Sequence, residues 1–180
     1  MTRRKQQAPQ PSPWPKRLLA AAGFGVVLIL VAAVLFSPTP LRGVPDGTER
    51  IAVGQAQHVD GLLYGADEVP AGGAHSAVPG ACEFYDAPIA AENAVHSLEH
   101  GAVWITYRTD IGGDQIGRLR RFTRGIDKVL VSPVPGQAAP IIATAWANQL
   151  ELDDANDSRL EQFVNEFEGS PDSPEPGGAC

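Results

Sequence analysis

From Leu18 to Phe36 the chain reads LLAAAGFGVVLILVAAVLF, nineteen residues without a charge or a proline. At 1.5 Å per residue such a helix is about 28 Å long, enough to cross the hydrocarbon core of a bilayer. Residues before it include Arg3, Arg4, Lys5, Lys16 and Arg17 and no acid, and every Asp and Glu follows it. The positive-inside rule therefore predicts a cytoplasmic N-terminus and an extracytoplasmic C-terminal domain. A cleaved signal peptide fits less well, because its apolar region is shorter and leads into a small-residue cleavage site, which Ser37-Pro38-Thr39-Pro40 does not supply.

This divides the chain into a basic tail over 1–17, a transmembrane helix over 18–36, a Pro/Gly-rich stalk over 37–48 and an extracytoplasmic domain over 49–180. Residues 6–15, QQAPQPSPWP, are too poor in apolar side chains to fold. With 180 residues, 43% of them hydrophobic, there is material for one core. After Phe36 nine Lys and Arg face twenty-one Asp and Glu, a formal charge of minus twelve. Such a surface repels nucleic acid and anionic headgroups, leaving the protein's own anchor as its contact with the membrane.

Within the domain, residues 65–91 are dense in Gly, Ala and Pro and predict an ordered loop region. AVWITYR from Ala102 alternates as a half-buried strand does, with Val103, Ile105 and Tyr107 on one face. Asp114 is positioned to cap a helix carrying Ile116, Leu119 and Phe122, ended by Gly125 before a strand over 128–132. IIATAW predicts another strand, central in the sheet. In the last helix Ser158 and Glu161 fit a capping box, and Leu160, Phe163, Val164 and Phe167 form the apolar stripe. The expected fold is α+β: a small mixed β-sheet with about two helices on one face.

The chemistry concentrates in His96-Ser97-Leu98-Glu99-His100. On a helix these two histidines and Glu99 share an arc of about 100°, and imidazoles at i and i+4 can chelate one ion. His75, on the Gly-rich loop, is the natural third ligand, whereas His58 reads as a surface or core histidine. The bland alternative is an exposed, hydrogen-bonded turn with Leu98 packed inward. His-x-x-Glu-His also matches the inverted zinc-protease signature, with Glu99 as general base, but those motifs lie inside long helices and here Gly101 and a strand follow at once.

Cys82 and Cys180, an even count in an oxidising compartment, predict a disulfide. Walker, GxGxxG and CxxC motifs are absent, and Met1 is the only methionine. That excludes a methionine-rich Cu(I) carrier and leaves His/carboxylate chemistry suited to Zn(II) or Cu(II).

The run from Cys82-Glu-Phe-Tyr85-Asp86-Ala-Pro88 through Glu92 and His96-Ser-Leu-Glu99-His100 to Tyr107 resembles the bacterial family catalogued as domain of unknown function 3105. The likeness extends to the His75 loop, to Ser132-Pro133 through Trp146, and to the terminal Pro-Glu-Pro-Gly-Gly-Ala-Cys180. Where the family usually has Gly-Pro-His, this chain has Gly73-Ala74-His75. The resemblance implies a membrane-anchored bacterial protein with an extracytoplasmic domain and no established activity. It also singles out His75, His96, Glu99, His100, Cys82 and Cys180.

The reading favoured by the residues is a non-catalytic domain that binds Zn or Cu through His75, His96, His100 and Glu99. One alternative is an interaction subunit that docks on envelope or membrane proteins, with structural histidines and no metal. The other is a metallohydrolase using Glu99 as base.

Overall fold

A computed structural model describes residues 43–180. The basic tail, the apolar run over 18–36 and the stalk up to residue 42 lie outside the described residues. Among the described residues, no helix is long and apolar enough to cross a membrane.

Among the described residues the elements follow one another as β1 (Glu49–Arg50), β2 (Gln57–His58), β3 (Ala74–His75), α1 (Ala91–Glu99), β4 (Val103–Tyr107), α2 (Gly113–Leu119), β5 (Val129–Pro133), β6 (Ile141–Ala145), β7 (Asn148–Leu152) and α3 (Ser158–Phe167). A 3₁₀ turn, Arg120–Thr123, extends α2. Five strands form one mixed sheet in the order β1-β7-β6-β4-β5, with β4 and β5 parallel and the other pairs antiparallel. As expected, β6 is the central strand. β2 and β3 form a separate parallel pair.

The α+β class holds, with two corrections. Among the described residues there are three helices, where about two were expected, and they cover both faces of the sheet rather than one. Val103, Ile105 and Tyr107 pack with Leu119 of α2 and with Leu160, Phe163 and Val164 of α3. Trp104 faces the other way, against Ala94 and Leu98 of α1 and Leu130 of β5. β4 is accordingly buried at all five positions, not half-buried. Trp104 and Thr106 tolerate this because the indole Nε1–H donates to Ser132 Oγ at 2.9 Å and the Thr106 hydroxyl donates to the Ile142 carbonyl at 3.4 Å.

Caps differ from the sequence reading by a residue or two. Gly112 precedes α2, so Asp114 lies inside its first turn, where a carboxylate still favours the positive helix end. At α3 the cap is Asp157, whose carboxylate accepts from the Arg159 N–H at 2.9 Å, in place of Ser158. β6 and β7 are joined by the two-residue turn Trp146-Ala147, with Ala147 at φ 58°. The outer edge of β5 is covered by residues 83–85: Tyr85 N–H donates to Val131 O, and Val131 N–H donates to Glu83 O. That satisfies an edge which would otherwise offer unpaired backbone groups.

Ahead of β1, Gly43 N–H donates to the Glu166 carboxylate, Gln162 donates to Gly43 O and Arg159 donates to Asp46 O. These contacts tie residues 43–46 to α3.

Candidate metal centre

Helix α1 presents the His-x-x-Glu-His motif and then stops. Gly101, at φ 86°, ends it: Gly101 N–H donates to Leu98 O and Ala102 N–H donates to Ser97 O, the paired bonds of a Schellman motif. His96 and Glu99 are 5% and 4% exposed, and Leu98 is fully buried beneath them. The solvent-exposed turn considered as the bland alternative is thus replaced by a sequestered polar cluster.

The loop carrying His75 is strapped onto α1. Ser97 Oγ donates to Gly80 O at 2.7 Å, Gly80 N–H donates to Asn93 O at 2.9 Å, and Ser76 N–H donates to Glu92 O at 3.3 Å. Gly72 has φ 146°, and its α-carbon lies so close to the Trp146 ring that an added β-carbon would sit 3.1 Å from it. Only glycine lets the loop run that low, and Trp146 in turn stands edge-on to the His75 ring, 6.2 Å between centroids.

β2 and β3 set His58 directly opposite His75 in parallel register. His58 is half-exposed, yet its ring stacks on His96 with 4.8 Å between centroids. One ligand atom from each of His58, His75, His96 and Glu99 lies within 4.8 Å of the others. His75 Nε2 stands 2.9 Å and His58 Nε2 3.7 Å from Glu99 Oε2. The predicted residues His75, His96 and Glu99 are therefore brought together, and the sequence reading missed His58. Its signal, a two-residue strand, is too short to show a period.

His100 flanks this group. Its Nε2 is 3.2 Å from Nε2 of His96 and 3.8 Å from a Glu175 oxygen. Glu99, His100 and Glu175 make a second group of converging ligand atoms, sharing Glu99 with the first. The four ligands expected from the sequence are thus divided between two overlapping sets.

Hydrogen bonding fixes the ring tautomers. Nδ1 of His75 meets Gly73 O, Nδ1 of His96 meets Ser76 O and Nδ1 of His100 meets Ala179 O, each at 2.7 Å. A carbonyl oxygen only accepts, so all three Nδ1 atoms carry hydrogen, and in the neutral ring every Nε2 presents a lone pair. Burial, reinforced by the His100, His75 and His58 rings and only partly offset by the Ser76 carbonyl, holds the His96 pKa below the usual histidine value. His96 is consequently neutral at pH 7.

Nitrogens 2.0–2.1 Å from a tetrahedral zinc lie about 3.3 Å apart, close to the 3.2 Å separating the His96 and His100 nitrogens. Three oriented imidazoles, a fourth beside them and a buried carboxylate make a donor set of borderline softness, fitted to Zn(II) or Cu(II).

Behind His100 runs the C-terminal segment. Cys82 and Cys180 form the expected disulfide, with α-carbons 5.4 Å apart. Lys128 Nζ bridges His100 O and Gly178 O, at 2.6 and 2.7 Å. Glu175 N–H donates to Glu99 O at 3.0 Å.

The family model described as protein of unknown function (DUF3105) matches residues 58–180, which include every residue of both ligand groups and both cysteines. No curated protein and no solved structure matches the chain. Since the match covers well over half of the sequence, the chain belongs to the family of proteins of unknown function DUF3105.

Proposed function

We propose that the domain is a non-catalytic binder of one divalent transition ion, Zn(II) or Cu(II), held by His75, His96 and Glu99 with His58 and His100 at its sides. The observation that carries this reading is the facing of acceptors. His75 Nε2 meets a Glu99 oxygen and His96 Nε2 meets His100 Nε2, while all three Nδ1 atoms are already committed as donors to carbonyls. Lone pairs at such distances repel unless a cation lies between them. A metal ion takes up the lone pairs of His75, His96 and Glu99 and leaves that of His100 at the edge of the site.

Glu99 is better suited to ligation than to general-base catalysis, because its Oε2 already stands against two imidazoles. The carbonyl partners of His75 and His96 further restrict how the rings can turn, as expected of a holding site rather than one that reorganises.

The full chain, purified in detergent without a histidine tag, is titrated with Zn(II) and with Cu(II) by calorimetry. Saturable binding that His75→Ala and His96→Ala each weaken at least a hundredfold supports the reading. No saturable binding, or binding unchanged in the His75→Ala, His96→Ala double variant, overturns it.

We further propose that this domain stands on the outer side of a membrane, held by the apolar run over 18–36. Supporting observations are the basic residues before that run, the minus twelve charge after it, and a disulfide of the kind that persists in oxidising compartments.

A further inference from the structure

We propose that the centre takes a second divalent ion, ligated by His100 Nε2 and by the carboxylates of Glu175 and Glu99, so that Glu99 bridges two ions. This rests on the reading of the first position given above. The two ligand groups overlap only at Glu99, and a carboxylate has two oxygens with lone pairs enough for two cations. His96 and His100 stand at the seam, their nitrogens 3.2 Å apart. In carboxylate-bridged sites the ions are about 3.5–4 Å apart, a spacing compatible with one of these imidazoles serving each ion.

The C-terminal segment is built to complete this second position. Ala179 O takes the Nδ1 hydrogen of His100, which turns Nε2 away from the tail backbone and toward Glu175 and His96. Glu175 is anchored by its own N–H on Glu99 O. Lys128 clamps the segment again at Gly178 O, and the disulfide fixes its end at Cys180. These contacts hold a carboxylate that is itself 66% exposed against a ring that is only 12% exposed.

The donor sets differ in chemistry. The first position has three imidazoles and a carboxylate, whereas the second has one imidazole and two carboxylates, a harder set that suits Zn(II) or Mn(II) and disfavours copper. With fewer nitrogen ligands and one solvent-exposed arm, the second ion binds more weakly than the first.

Equilibrium dialysis of the untagged full chain against graded free Zn(II), with zinc and protein quantified by elemental analysis, reads the stoichiometry. Wild type is expected to reach two ions per chain, the second at least tenfold weaker. Glu175→Gln, a conservative change at an exposed side chain, is expected to stop at one, and His75→Ala should weaken the tighter ion. One ion in wild type, with unchanged affinity in Glu175→Gln, overturns the second position and leaves the first standing. Two ions in both wild type and Glu175→Gln overturn the ligand assignment. No zinc bound to wild type overturns both positions.

Discussion

Gly178 packs against the imidazole of His100 so closely that a β-carbon on residue 178 would run into the ring. That ring is also held from the tail by Ala179 O and cannot retreat without breaking the bond. Gly178→Ala should therefore displace His100 or lift the tail. Overpacking of this kind costs about 1–3 kcal/mol, to be read as a lower urea midpoint with unchanged slope. Zinc affinity at His100 should fall at least tenfold. A variant with wild-type stability and wild-type zinc binding would show that the tail does not fix the ring.

A ligand that binds only the folded chain stabilises it in proportion to its saturation. At a free ion concentration one hundred times Kd the gain is about 2.7 kcal/mol, and for a domain of this size about 3–5 °C in Tm accompanies each kcal/mol. Zinc should raise the melting temperature by roughly 8–14 °C on that scale, and a chelator should return it to its starting value. In His96→Ala the share of that rise due to the tighter ion should vanish, leaving at most the smaller effect of the weaker one. An undiminished rise in that variant would locate the stabilising ion elsewhere.

Long-period elements were legible in the sequence, and short or polar ones were not. The stripe of Leu160, Phe163, Val164 and Phe167 marks α3 because one wet face and one dry face suffice to define it. The strand of Val103, Ile105 and Tyr107 was equally plain, but the burial of Trp104 and Thr106 was not, since their hydrogen-bond partners, Ser132 and Ile142, are distant in sequence. Helix α1 hides Glu92, His96, Ser97 and Glu99 among its buried residues, so its packed face does not read as apolar. The motif on that helix gave two of the four residues of the central ligand group, His96 and Glu99, and the Gly-rich loop gave a third, His75. His58 was lost because only the pairing of two dipeptide strands brings it to His75.

Glu92 supplies a pH dependence outside the ligand groups. Burial works to raise its carboxyl pKa, but the N–H groups of Leu63, Glu92 itself and Tyr64 outweigh this and hold the pKa below the ordinary 4.5. A folded-state pKa below the unfolded one means stabilisation that is fully present above about pH 4.5 and is lost as pH falls through the folded value. Glu92→Gln keeps an acceptor for Leu63 and Tyr64 but no charge, which should cost about 1 kcal/mol at pH 7. That difference should shrink as pH falls below 4.5. Urea unfolding at pH 7, 5, 4 and 3 checks it, and an equal deficit at every pH would mean that shape, not charge, is what the substitution removes.

The Cys82–Cys180 bond links residues 98 apart in sequence. Closing a loop of that length is worth about 4–5 kcal/mol in the chain-entropy model. Unreduced protein should show no titratable thiol, and Cys82→Ser should lower stability by several kcal/mol. Because the same bond ends the segment that carries Glu175, reduction should release the weaker zinc ion before the tighter one. Simultaneous loss of both ions under reduction would argue that the bond supports the whole domain rather than the tail alone.

The proposed topology would tie the chemistry to its compartment. The nineteen apolar residues from Leu18 to Phe36 follow five basic residues and precede all twenty-one acids. Reversing that order across a membrane would carry Arg3, Arg4, Lys5, Lys16 and Arg17 outward, against the positive-inside bias. A reducing cytoplasm would also keep Cys82 and Cys180 as thiols. A protease added to spheroplasts should therefore remove an epitope placed at the C-terminus while leaving one at Met1 protected. A membrane-impermeant maleimide should label the cysteines only after a membrane-impermeant reductant has opened the disulfide. If the N-terminal epitope is digested and the C-terminal one survives, the orientation is inverted, and the domain would meet metal in the cytoplasm, where its two cysteines would be reduced.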